Sequence, residues 1–550
     1  MHTQYSPHLS LRAWPCLVAL LGAFLALRTP DRAQGQIYSG PIVISAGGTY
    51  SGNWESQDPN TPAVKVDTSD PVTIQNSNIR SRGACIYAPN TRTHMLTVLN
   101  TYGQGLNPNV AGASPGRFVH VDYAKKLVVE NCYFENTAGI DVNGYSGDRS
   151  ADQTIRIRYN RAHNIDGRFS LGAGGGFSTS GFARVQFLQL LNMSNVPGVE
   201  VAWNEIINSP HSSRVEDNIN FYHTSGGSSA PITVHDNFIW GAYTALPESD
   251  TYSGGGIISD GGNNTTVSTA PGFLKVYNNQ LVSTTNYGVG IYAGHDCEYS
   301  GNKMVSSGAL PDGVPIAAQN TGMYLWDSSN DASRGTFFNN TEHDNQSGWT
   351  NLNGSAPARN DWWTPSPTAV NNGRLAGSVT LDTEKAELIA WWSKLLGASQ
   401  RLGPAGSALL YEAEHLTPAA TSGDTHRVIR DDSFHGGYGA IYDANGVGDY
   451  VTYTFYVPEI RPYAILVGTK TFSTRGIFQF AIASTTSGTY TNHGSPQDGY
   501  AATSAYTELN CGTFTPATVG NKAFRLTVTG KNASSAGYSL CVDYIKLAPQ

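Results

Sequence analysis

Along residues 70–345 one pattern of apolar and polar positions keeps returning: apolar, any, apolar, two residues, asparagine, any, apolar. It reads Ile155-Ile157-Asn160-Ala162, then Val199-Val201-Asn204-Ile206, Ile232-Val234-Asn237-Ile239, Leu274-Val276-Asn279-Leu281 and Cys297-Tyr299-Asn302-Met304. Two earlier copies, Leu127-Val129-Cys132-Phe134 and Val72-Ile74-Ser77-Ile79, carry a small or polar residue in place of the asparagine. Alternation at period two predicts a short strand with one buried face. The asparagine then falls at a bend, where its amide satisfies backbone groups and stacks on the next copy. Asparagine spacings run from 23 to 44 residues. Short stacked turns with insertions of variable length predict a parallel β-helix.

A second strand family interleaves with the first: "GIDVNGYSG" (139–147), "DNINFYHTS" (217–225), "GGIISDGGN" (255–263), "GIYAGHD" (290–296) and "GMYLWDSS" (322–329). One register places Ile140, Ile219, Ile257, Ile291 and Met323 inward. The outward column then reads Asp141, Asn220, Ile258, Tyr292, Tyr324, and its neighbour Asn143, Tyr222, Asp260, Gly294, Trp326. Glu216, Asp217, His223, His295, Asp296 and Asp327 fall on or beside this wall. Sugar rings stack on aromatic faces, so Tyr292, Tyr324 and Trp326, with Asn220, Tyr222 and Asp327, are candidate substrate contacts.

The segment "LDTEKAELIAWWSKLLG" (381–397) is a predicted helix, capped by Asp382 or Thr383 and ended by Gly397. Ile389, Trp392, Leu395 and Leu396 form its apolar side, and it is expected to cover the last open strand edge. Residues 398–409, rich in Gly, Pro and Ser, read as a linker. From 410 to 550 the alternation becomes that of antiparallel strands ("DYVTYTFYVP", "YAILVGTKTF", "IFQFAIAST", "FRLTVTGK", "SLCVDYIKLA"), which predicts a β-sandwich.

Composition agrees with many short strands and turns: 60 glycines and 29 tyrosines against a charged fraction of 14%. At the N-terminus, Arg12 precedes the apolar run "AWPCLVALLGAFLAL", and a polar exit follows. This predicts a signal peptide over 1–35 and a secreted chain, extracellular or periplasmic, with no membrane contact after cleavage. The net charge of −8 argues against nucleic acid as a partner. Outside the signal segment stand Cys85, Cys132, Cys297, Cys511 and Cys541, without the paired spacing of a disulfide framework or a zinc site. Only Cys511 and Cys541, in strands of one domain, are placed to pair. A monomer is expected.

The opening "PIVISAGGTYSGNW", the stretches "VEDNINFYHTSGG" and "SGGGIISDGGN", and "NDWW" (360–363) are similar to the secreted right-handed parallel β-helix proteins of the pectate-lyase-like superfamily, over residues 37–397. The motifs of polygalacturonases are absent. In "YEAEHL", Glu412 and Glu414 share one side of an opening strand, and "CVDYIKL" adds Asp543. Three carboxylates suit calcium, a hard cation with six to eight oxygen ligands. With "GVGDYVTYTFYVP" and "GYSLCVDYIKL", residues 410–548 resemble the calcium-containing carbohydrate-binding modules of families 6 and 35. That resemblance implies a jelly-roll, galactose-binding-like module and makes Tyr438 and Asn532 the nearest matches to its sugar-contacting residues. The expected fold class is thus all-β: a right-handed parallel β-helix over 36–397, then a β-sandwich over 410–550.

Three functions follow as expectations. A hydrolase of an extracellular polysaccharide needs two carboxyl groups, roughly 5 or 6.5–9.5 Å apart; Asp217 and Asp260 are the candidates, with Glu216 as alternative. A lyase, or a uronan C5-epimerase, needs a base, here His223 or His295 beside Asp296, and a cation such as Arg168 or Arg214 to neutralise the uronate. A non-catalytic polysaccharide binder or adhesin keeps the aromatic wall but needs neither acids nor histidines.

Overall fold

The computed structural model describes residues 37–252, 254–354, 358–363 and 369–550, and Ile37–Gln550 forms one compact unit. The signal peptide expected over 1–35 lies outside the described residues.

The alternating apolar positions form short strands that pair in parallel with their counterparts. Ile157 stands beside Val201, Val201 beside Val234, Val234 beside Val276 and Val276 beside Tyr299, all buried. Burying such a column stabilises the stack by about 25 cal/mol for each Å² of apolar surface removed from water. The asparagines form a single amide ladder. Asn160 donates to Asn204 at 2.9 Å, Asn204 to Asn237, Asn237 to Asn279 and Asn279 to Asn302 at the same distance, and the ladder runs on through Asn345 to Asn372. The residue before each amide takes the left-handed conformation, with φ of 59° at Tyr159, 56° at Trp203 and 53° at Asp236. A non-glycine residue there is disfavoured. The ladder's hydrogen bonds offset that cost and fix the bend.

The sequence expectation of a right-handed parallel β-helix is corrected here: the parallel strands close as an eight-stranded parallel β-barrel accompanied by sheets. Pairing runs through sheets of 21 and 12 strands, parallel except where Ala358–Arg359 joins the second antiparallel. An alternating pattern specifies which strands neighbour one another and which face is buried. It says nothing of how the ladder closes, and closure depends on tilt and stagger across many strands.

A second correction concerns register. Ile219 and Ile257 do lie side by side, but the next inward neighbour is Val289, followed by Met323; Ile291 pairs with Ser259 and Leu325. Val289 and Ile291 are both fully buried, so the apolar pattern fits either choice and the two-residue slip is invisible in it. Gly290 therefore replaces Tyr292 in the Asn220 column, and a strand at Leu188–Val196, absent from the sequence reading, inserts between Val142 and Phe221.

The helix spans Leu381–Gly397, and Thr380, not Asp382 or Thr383, caps it through a reciprocal pair with Thr383. It does not cover a terminal strand edge. Trp391 stacks 5.7 Å from Phe238 and donates to Glu205 at 2.8 Å, Lys394 pairs with Asp236, and Trp392 meets Tyr411 edge-on at 5.6 Å. Two adjacent buried tryptophans thus fill the space between the ladder's flank and the C-terminal strands. The expected linker is pinned as well: Gly403 donates to the Tyr159 carbonyl and Leu402 is buried. Beyond it, antiparallel sheets of five, four and three strands share a core that includes Phe455, Phe480 and Phe524. Cys85, Cys132, Cys297, Cys511 and Cys541 are all free and buried, so Cys511 and Cys541 do not pair.

Candidate active site

The strand Asp217–Gly226 carries the opening acids of the wall onto the outer face of the ladder. Asn220 sits beside Ile258, and Tyr222 beside Asp260 on the next strand. There they border a groove of about 510 Å³ whose lining includes Glu216, Asp217, Asn220, Tyr222 and Asp260, with Tyr292, Tyr324 and Trp326 on one side. Eight of the expected site residues therefore meet in one place.

The two aspartates share an amide. Asn220 Nδ2 donates to Asp217 Oδ2 at 2.9 Å and to Asp260 Oδ2 at 3.0 Å. Asp260 Oδ1 also accepts the Gly261 N–H at 2.6 Å. Asp217 Oδ1 accepts a hydrogen bond from the Tyr287 phenol. Gly255 lies between Asp217 and Tyr287 in the ladder, and a Cβ there would stand 2.4 Å from the Tyr287 ring. Gly290 clears the same kind of space for Tyr324. Two glycines thus let two tyrosine rings lean across the strands toward the acids.

Burial gives Asp217 its chemistry. Desolvation, followed by the charges of Asp260 and Glu216, pushes its pKa up to about 7, against the opposing hydrogen bonds of Tyr287 and Asn220. Glu216 is differently placed, tied to Arg214 at 3.2 Å and to the Tyr252 hydroxyl at 3.2 Å. Tyr292 meets Trp326 edge-on at 5.9 Å and Trp326 lies 4.7 Å from Trp363, so three rings form a platform that ends at the exposed Trp363.

Other expected residues do not reach the groove. His295 is buried: Nδ1 bonds Asp296 at 2.7 Å, Nε2 bonds the Val267 carbonyl at 3.1 Å, and the ring stacks on Phe338. Asp296 holds that histidine and accepts from Asn339. His223 engages the Gly261 carbonyl through Nε2 at 3.0 Å. Asp327 accepts the N–H groups of Asp331 and Ala332, fixing a short turn of helix. Arg168 is bound to Asp166 through Nε and Nη2, and Arg214 lies buried between Glu216 and the Phe182 ring. Neither cation is available to a ligand in the groove. Of the sugar contacts expected in the C-terminal module rather than in the groove, Tyr438 is fully buried, and Asn532 closes a turn with Ser534 while donating to Asp498.

Sequence reasoning missed Tyr287, Tyr252, Trp363, Arg184, Gln186 and Gln189, all lining the groove. The run "SGGGIISD" held one usable signal, since glycine opposite an aromatic residue marks a ring crossing a strand.

Glu412, Glu414 and Asp543 are buried at the start and end of the C-terminal domain. Glu412 Oε2, both oxygens of Glu414 and Asp543 Oδ1 have no hydrogen-bond partner. Burial and the neighbouring charge of Glu412 hold Glu414 well above the usual carboxylate range and push Asp543 up to about 7. Among the described residues no group of three or more such side chains stands in the geometry of a metal shell. The donor set, four unpaired buried carboxylate oxygens, nonetheless has the chemistry a hard cation takes.

No family model and no curated protein matches the chain. Solved structures with partial likeness include Paenibacillus xanthan lyase, 33% identical over 26% of this chain and 13% of that one, with a TM-score of 0.24. The family 35 carbohydrate-binding module from Clostridium thermocellum is 19% identical over 26% of this chain and 98% of that one, with a TM-score of 0.18. A module of Cellvibrio mixtus lichenase 5A, solved with cellotriose, is 16% identical over 26% and 97%, also with a TM-score of 0.18. Glycoside hydrolases, a lyase and carbohydrate-binding modules are among the structural neighbours, alongside an insecticidal crystal protein. Each likeness is confined to about a quarter of the chain. No helix among the described residues is long and apolar enough to cross a membrane.

Proposed function

We propose that the groove is the active site of a secreted glycoside hydrolase acting on a neutral polysaccharide, with Asp217 as the proton donor and Asp260 as the base or nucleophile. The observation that carries this reading is the single Asn220 amide bridging the two carboxyl groups, one of them buried and protonated up to neutral pH. A glycosidic bond lying over that amide has an acid on one side and a carboxylate on the other, the arrangement that hydrolysis uses. Asp217 gives its proton to the leaving oxygen. Asp260, partly exposed, attacks the anomeric carbon or activates a water that does so. The ring platform of Tyr292, Trp326 and Trp363 supports the sugars on one side.

A uronate-cleaving lyase or an epimerase fits less well. His223 and His295 are engaged in structural hydrogen bonds, Arg168 and Arg214 are bound to acids, and Arg184 is the one cation among the groove's described lining residues. In the C-terminal domain, calcium, when bound, would be held by Glu412, Glu414 and Asp543 and would neutralise their buried charge. The domain itself serves to keep the protein on its polysaccharide, raising local substrate concentration.

The test is a panel of neutral and acidic polysaccharides assayed for new reducing ends and for the ultraviolet absorbance of unsaturated uronates. Reducing ends without that absorbance support the hydrolase. Absorbance points to a lyase, and tight binding with neither product to an adhesin.

A further inference from the structure

The outward column that carries Asn220 continues well past the groove in both directions. Toward the C-terminus it runs through Ile258, Gly290 and Tyr324 to Trp363. Toward the N-terminus it runs through Gln189, Asp141 and His120 to Tyr87. Each side therefore has four rungs. Beyond Tyr87 the same column passes on into Lys65 and Val43.

The N-terminal half is built like the half already described, with one aromatic end and a linked polar floor. Tyr87 lies 4.9 Å from the His120 ring and donates to Asp122 at 3.2 Å. His120 Nε2 stands 3.3 Å from Asp141, and Arg117 joins Asp141 at 3.7 Å to Gln186, which already borders the groove. Tyr87, His120 and Gln189 are partly exposed, so the floor is reachable. None of these groups is needed to close the interior, where Ile86, Val119 and Ile140 do the packing.

We propose that Gln189, Asp141, His120 and Tyr87 form the second half of a through-going groove, and that the protein cleaves an internal stretch of a long glycan chain. This rests on the hydrolase reading above and adds the position of attack. With the carboxyl pair midway between Tyr87 and Trp363, sugars are held on both sides of the bond that breaks. A site cutting at chain ends would need only one side.

The experiment follows viscosity and reducing ends together while the full-length protein digests high-molar-mass neutral glucans, mannan and galactan. Internal cleavage makes viscosity collapse while few reducing ends have formed. The double variant Tyr87→Ala/His120→Ala should raise KM on the polymer roughly threefold to tenfold and leave kcat/KM on the shortest cleaved oligosaccharide unchanged. Tyr87→Ala alone, altering one partly exposed side chain outside the groove described above, serves as a second variant should the double one fail to fold. Steady release of mono- or disaccharide without loss of viscosity overturns the proposal and leaves the hydrolase intact, as do variants that match the wild type on the polymer. Absence of cleavage on every polymer overturns both.

Discussion

Tyr287 donates its phenolic proton to Asp217 across a strand that carries glycine, Gly255, at the position between them. That contact opposes the burial that raises the Asp217 pKa. Removing it with Tyr287→Phe withdraws a stabilisation of the charged form, so the Asp217 pKa rises further. A general acid works only while protonated; the alkaline limb of the pH–rate profile, set near pH 7 in the wild type, should therefore move upward. Gly255→Ala forces the ring away and should shift the limb in the same direction. A limb that stays in place in both variants would mean that Asp217 is not the titrating acid.

Buried histidine and catalytic carboxyl separate by what each loses. His295→Gln leaves the Val267 carbonyl or Asp296 without its partner and should cost about 1–3 kcal/mol of stability. Its effect on turnover should be small once the protein is folded. The measurement is thermal melting beside kcat for the same preparation, and a large loss of kcat without loss of stability would revive the histidine as base.

Glu384 on the helix is fully buried, accepts the Ser307 N–H, and has its carboxyl pushed up to about 7 by desolvation. Between the ordinary glutamate value and pH 7 the folded protein holds this proton and the unfolded chain does not, so stability falls as pH rises through that window. Glu384→Gln keeps the shape without the titration. It should gain up to about 3 kcal/mol over the wild type at pH 8 and much less at pH 5. Equal melting shifts at both pH values would count against it.

Calcium should raise the melting temperature of the full-length protein, and Glu414→Gln should remove most of that response. The unpaired oxygens of Glu414 are the reason. Melting curves in calcium and in chelator read the outcome, and an equal response from wild type and variant would place the ion elsewhere.

The asparagine ladder and the strands that carry it were legible because one residue type recurs at one point of a fixed pattern. So were Asp217, Asn220, Tyr222 and Asp260, which share one alternating stretch or its direct neighbour. Register was not legible where Val289 and Ile291 are both apolar, nor was the strand at Leu188–Val196, which ends in the polar "NMSNV". Tyr287 escaped because its role depends on what a neighbouring strand lacks, a Cβ at Gly255. His295 and Arg168 looked reactive in sequence, yet their adjacent partners Asp296 and Asp166 bind them. The closure of the parallel strands was beyond reach, since pairing patterns do not encode tilt.

The most direct test of the central claim is turnover of a cleaved neutral polysaccharide by Asp217→Asn, Asp260→Asn, His223→Gln and His295→Gln, each confirmed folded. The account predicts losses of about 10²-fold or more for both aspartate variants, near-wild-type rates for both histidine variants, and reducing ends free of unsaturated products. Wild-type rates from the aspartate variants, or losses confined to the histidine variants, would contradict it.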